Sequence, residues 1–159
     1  MASQNVWLVM EQGSTPASRV ARRTLRKRLD AVWTALRVAS GERPDARRVH
    51  QLRVATRRTL AALDAFGQLL PDKRRRWFEK RLRRVRRVAG EARDLDVLAE
   101  RLAAEPGQVD PAATARRRLV AMLARQRTES RTPIRRMHDE LVAAEWHART
   151  ERLLDAVGG

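Results

Sequence analysis

Residues 49–70 read VHQLRVATRRTLAALDAFGQLL. Leu52, Thr56, Leu60, Leu63, Phe66 and Leu70 recur at steps of three and four, the period of an α-helix with one apolar face. Pro44-Asp45 precedes the stretch and Pro71-Asp72 follows it. Proline fits a helix start, because its missing N–H would have no partner there. The spacing therefore predicts a helix from about Pro44 to Leu70, with another starting at once. With Leu52 at 0°, Arg53, Arg57 and His50 fall at about 100°, 140° and 160°, and Arg47 and Arg58 at about 220° and 240°. One side of this helix is built for a core and the other carries mainly positive charge.

Working outward, the same period runs upstream through Leu25, Leu29, Val32 and Leu36, a helix from about Pro16 to Ala39 ended by Gly41 and Pro44. Downstream, Asp72 opens a third helix with Phe78, Leu82, Val85, Ala89 and Ala92 inward. Continuing that stripe would bury Asp96, so the register is expected to shift after Gly90 onto Leu95, Leu98 and Leu102, with a kink or restart there. Pro106-Gly107 closes the segment. A fourth helix starts near Asp110-Pro111 with Ala115, Leu119, Met122 and Leu123 inward, and Thr132-Pro133 kinks or ends it. The last segment holds Ile134, Met137, Leu141, Trp146, Leu153, Leu154 and Val157. No alternating run of strand length and no Asn-Gly hairpin occurs. The reading is all-α: an antiparallel bundle of four to five helices over residues 16–157, preceded by a tail over residues 1–15.

At 159 residues the chain is long enough to bury a core, and 43% hydrophobic residues at helical spacing exclude a disordered chain. Cysteine is absent, which excludes disulfides and thiolate metal sites. Neither a signal-peptide pattern nor an apolar run of membrane-spanning length is present, so a cytoplasmic protein without membrane contact is expected. The net charge is +16, unevenly placed. Between Arg19 and Arg93 there are 24 Lys and Arg against 7 Asp and Glu, whereas from Asp94 onward there are 11 of each. Such a one-sided excess calls for a polyanionic partner. Only Lys27, Lys73 and Lys80 are lysines. That ratio suits base composition as well as selection, yet arginine grips phosphate oxygens in pairs where lysine cannot.

The basic residues form ridges. On the third helix, with Phe78 at 0°, Arg76, Lys80, Arg83 and Arg87 lie between about 140° and 200°. On the first, Arg19, Arg23, Arg26 and Arg37 lie at about 100° to 160° from Leu25. Like charges at such spacing destabilise a helix, so a bound anion is expected to offset them. No Gly-rich phosphate loop, nucleophile elbow or paired-carboxylate motif occurs, so no catalytic residue is assigned and the chain is not expected to be an enzyme. No cofactor is indicated. His50 lacks a second ligand at i+3 or i+4, which argues against a metal, and His138 and His147 read as structural. The aromatics Trp7, Trp33, Trp77, Trp146, Phe66 and Phe78 lie on or beside apolar stripes, away from the ridges. That placement disfavours base stacking and makes nucleic acid the less favoured polyanion.

The stretch VHQLRVATRR (49–58), followed by Phe66 and Leu70-Pro71, together with GEARDLDV (90–97), resembles the CHAD family, the conserved-histidine α-helical domain. The two motifs stand in the family's order and at about its spacing, over roughly residues 17–157. The resemblance implies an all-helical fold, binding of inorganic polyphosphate through basic helices, association with polyphosphate granules, and no catalysis. It carries the family histidine to His50 and the motif arginines to Arg53, Arg57, Arg58 and Arg93, and matches the basic helix to Lys80, Arg83, Arg84 and Arg87. With Arg76 from the ridge, these form the expected polyphosphate-binding set. Family members usually contain two similar four-helix halves, and only the first is recognised here. Arg135-Arg-Met-His138 does not replace the second. A homodimer is therefore expected, two copies supplying the two sides. The alternatives are a general nucleic-acid-binding bundle or an accessory domain in phosphate metabolism.

Overall fold

The computed structural model describes residues 16–41, 45–104 and 112–158. The tail with Trp7, the Pro44 and Pro106-Gly107 breakers and the Asp110-Pro111 start lie outside them. Six α-helices follow in order: α1 (Ala17–Ala39), α2 (Ala46–Ala65), α3 (Asp72–Ala104), α4 (Ala112–Glu129), α5 (Arg131–Ala143) and α6 (Trp146–Asp155). A 3-10 turn, Gly67–Leu69, joins α2 to α3. Among the described residues there is no strand, and the chain is an all-α bundle.

Local chemistry sets the helix ends. The Asp45 side chain accepts from the backbone N–H groups of Arg47 and Arg48, satisfying two donors that the first turn of α2 would leave unpaired. The carbonyl of Pro71 accepts from Arg74 and Arg75 at 3.0 Å and starts α3. α2 packs between α1 and α3, α5 touches both α1 and α3, and α6 lies on α1. At the far end, Gly158 N–H bonds Leu69 O at 3.0 Å and ties the C-terminus to the α2–α3 turn.

The core gathers the expected stripes. Leu25, Leu29, Val32 and Leu36 of α1, Leu52 and Leu63 of α2, and Phe78, Leu82 and Val85 of α3 are buried. Ile134, Met137 and Leu141 of α5 and Trp146, Leu153 and Leu154 of α6 complete it. Thr56 and Thr59 enter this apolar face because their hydroxyls donate back to Leu52 O and Ala55 O, at 2.7 and 2.9 Å.

Three expectations are corrected. First, α3 does not restart at Gly90; it runs as one helix to Ala104, and its stripe continues through Ala92 to Asp96. Asp96 is fully buried while Leu98 is 45% exposed. The reason is a partner from far along the chain: Arg131 donates through Nη2 to both Asp96 carboxylate oxygens at 2.9 Å, and Arg127 Nε donates at 2.9 Å. Second, α4 buries Leu123 but exposes Ala115, Leu119 and Met122, since it is packed along one line against α3 and α5. The break after α4 falls at Ser130, and Thr132-Pro133 sits in the first turn of α5, where proline forfeits no bond. Third, the last segment is two helices. Glu145 takes a left-handed conformation (φ 56°) that ends α5 and redirects the chain into α6.

Candidate polyanion-binding faces

The outer side of α2 is set by its core side. With Val49, Leu52, Thr56, Thr59 and Leu63 inward, His50, Arg53, Arg57 and Arg58 have no direction left but solvent, and all four are exposed. None of them is bonded to an acid among the described residues. His50 and Arg58 line an open groove of about 690 Å³ between α1 and α2, together with Gln51, Val54, Ala55 and, from α1, Arg28 and Ala31. Arg53 and Arg57 do not line that groove; on the wheel Arg57 falls about 20° from His50 and about 100° from Arg58.

On α3 the ridge divides. Lys80 and Arg87 are exposed and carry no acid partner among the described residues. Arg83 is held loosely, 3.7 Å from Glu79, and Arg76 pairs with Asp72 at 3.1 Å. Arg83, Arg86 and Arg87 line a second open groove of about 690 Å³ with Gly90, Glu91 and Asp94. Arg84 turns away, forming a two-bond pair with Glu140 of α5 at 2.9 and 3.3 Å. Arg93 is mostly covered and pairs with Glu100 along its own helix at 3.1 Å. The ten expected residues thus do not form one cluster. His50 and Arg58 share a groove, Arg83 and Arg87 share another, Arg53 and Arg57 stand on open surface, and Arg84 and Arg93 are engaged within the protein.

The α1 ridge loses one of its four arginines to a counter-charge, while Arg19, Arg23 and Arg37 stay exposed without an acid partner among the described residues. Arg26 is clamped by Glu151 of α6 at 2.6 and 2.7 Å, and its neighbour Arg22 pairs with Asp155. The Arg26 bond holds the Glu151 carboxyl below its ordinary value. The neutral C-terminal part of the chain therefore supplies counter-charges to α1 and α3 that no local window of sequence displays.

Arg28 was not among the expected residues. On the wheel it falls beside the α1 stripe, about 60° from Leu25, where it reads as a flank of the core. Its place in the groove follows from the close approach of α2, where Thr59 Oγ1 donates to Arg28 O at 3.0 Å. The histidines away from α2 are aromatic partners: His138 stacks on Trp33 with centroids 5.3 Å apart, and His147 meets it edge-on at 4.9 Å. Trp77 departs from the expected separation of aromatics and arginines. Arg81 and Arg149 place their guanidinium carbons 4.0 and 4.7 Å from its ring centroid.

Compared with protein-family models, residues 25–158 match the CHAD domain. Neither the comparison with curated proteins nor that with solved structures returned a match.

Proposed function

The chain belongs to the CHAD domain family, and from that premise we propose that it is a non-catalytic module that binds inorganic polyphosphate along the outer faces of α2 and α3. The observation that carries this reading is the unneutralised charge of Arg53, Arg57 and Arg58, with Lys80 and Arg87, beside arginines of α1 and α3 that do have acid partners. Guanidinium groups held at helical spacing match a flexible chain that offers a phosphate every few ångströms. His50, at the mouth of the α1–α2 groove, adds a hydrogen-bond donor to the same anion. Binding through exposed charge needs no closed pocket, and it accounts for a site spread over two helices.

The test is a titration with long-chain polyphosphate, competed by double-stranded and single-stranded DNA at matched charge and salt. Polyphosphate should win over both DNAs, and affinity should fall log-linearly with salt as counterions are released. The recovered polyphosphate should keep its chain length. Arg53→Glu with Arg57→Glu should lower affinity by a factor of ten or more with helicity unchanged, and His50→Ala by a smaller factor. Unchanged affinity in the double variant, or stronger binding of DNA, would overturn the reading.

A further inference from the structure

On α3 the side chains of Arg74, Trp77 and Arg81 form a flank about 120° around the helix from the Lys80, Arg83 and Arg87 ridge. This flank meets α6. There, Arg74, Trp77 and Phe78 face Arg149 and Arg152 across a cavity of about 300 Å³ that opens to solvent. Among the described residues no acid lines the cavity. Arg152 Nη2 bonds the Glu145 carboxylate at a long 3.4 Å, both side chains being well exposed.

Arg74 and Arg149 are positioned by bonds to backbone rather than to acids. Arg149 Nε donates to Ala144 O at 2.8 Å, and Arg74 Nη1 donates to Arg152 O. Both bonds fix a guanidinium while leaving terminal N–H groups without an acceptor among the described residues. The indole of Trp77 gives Arg81 and Arg149 a cation–π contact, a weak substitute for an anion. Burial, and then the neighbouring charge of Arg149, push the Arg81 guanidinium below its ordinary value. Several positive groups thus converge on one cavity with no negative charge among its lining residues.

We propose that this cavity between α3 and α6 is a second anion site that takes a single compact phosphoryl group, separate from the extended faces of α2 and α3. Arginines reaching in from two helices suit a tetrahedral group, whose oxygens point in several directions. A carboxylate offers two oxygens in one plane. The volume accommodates orthophosphate or diphosphate. Trp77 and Phe78 form the apolar floor, keeping water from competing at one side. The same phosphoryl chemistry is found in free phosphate and in the terminal group of a polyphosphate chain.

The experiment is calorimetric titration of the folded chain with inorganic diphosphate, with tryptophan emission followed in parallel. Wild type should bind, and emission should change as Arg149 shifts from the indole toward the anion. Arg149→Gln should weaken diphosphate binding at least tenfold, and Arg152→Gln, at an exposed position that leaves the core untouched, severalfold. Trp77→Phe should abolish the emission change. Arg53→Glu with Arg57→Glu should leave diphosphate affinity within twofold of wild type, even as it removes the bulk of long-chain binding. Unchanged diphosphate binding in both Arg149→Gln and Arg152→Gln would overturn the proposal. So would its loss in the α2 double variant, which would mean one shared site. Long-chain polyphosphate distinguishes the sources. Residual binding to the α2 double variant that Arg149→Gln then removes identifies a chain end, and its absence identifies free phosphate; both outcomes support the site.

Discussion

Replacing Asp96 with Leu should be among the most damaging single substitutions in this bundle. Asp96 is 0% exposed and Arg131 is 1% exposed, so neither charge can turn to water if the other is removed. Arg131 Nε and Nη1 are already buried without a hydrogen-bond partner, which leaves the carboxylate as the main counterweight to that guanidinium. Breaking a buried pair from one side costs about 3–5 kcal/mol, a large part of the roughly 5–15 kcal/mol by which a domain is stable. With a urea dependence of about 2 kcal/mol per molar, the unfolding midpoint should drop by about 1.5–2.5 M. Arg127 is 29% exposed and can hydrate, so Arg127→Ala should cost about 1 kcal/mol or less. The double variant Asp96→Leu with Arg131→Met removes both charges and returns apolar volume, and should recover most of the loss. Urea unfolding followed by circular dichroism, run as a double-mutant cycle, measures each value. A midpoint shift below about 0.5 M for Asp96→Leu, or a double variant less stable than the single one, would refute the argument.

Gly90 lies inside unbroken helix, and a Cβ there would meet nothing within 4 Å. Gly90→Ala should therefore stabilise the fold by about 0.5–1 kcal/mol in the same urea assay. Glu151 is held below its ordinary value first by the Arg26 bond, so its contribution is complete above the unfolded carboxylate range and is lost as pH falls through the lower folded value. Arg26→Gln should accordingly lower stability by a small constant amount above about pH 4.3 and converge on wild type below it, which flattens the acid limb of a stability–pH profile. Leu98, Val120 and Met122 leave apolar surface exposed on α3 and α4, but a +16 chain repels its copies. Sedimentation should show weak self-association alone at low salt and a dimer with long polyphosphate. A species monomeric in both conditions yet binding tightly would show that one copy suffices.

The helices were legible wherever the signal was local. Pro71-Asp72 and Gly41 mark real ends, and the stripes from Leu25 to Leu36 and from Phe78 to Ala92 are the core. Reading failed where the deciding partner was distant. An aspartate on an apolar stripe argues for a register shift until the arginine 35 residues later is known to reach it. Pattern cannot supply that pairing, because helical periodicity describes a face and not what lies opposite. The turn at Glu145 was hidden for another reason: neither glycine nor proline marks it, and a glutamate accepts the left-handed backbone at a cost of about 1 kcal/mol. In α4 the apolar residues are genuine, but one line of contact buries Leu123 and leaves Leu119 and Met122 outside.

The candidate faces were legible in type and blurred in extent, and the blur has an electrostatic origin. A wheel counts arginines on a helix, whereas an anion responds to those left without a counter-charge. Arg84 and Arg26 sit among the basic residues of their own helices, yet Glu140 and Glu151 reach across from α5 and α6 to bond them. Both acids belong to the part of the chain whose charges cancel in the sequence. That part is neutral in composition, but in the fold it subtracts charge selectively from α1 and α3. No acid among the described residues bonds His50, Arg53, Arg57 or Arg58 of α2. Much of the excess over residues 19–93 thus stays without an acid partner among the described residues, on α2, on Lys80, Arg86 and Arg87 of α3, and on Arg19, Arg23, Lys27 and Arg37 of α1. The positive potential open to an anion is thus set as much by where the acids pack as by where the arginines lie.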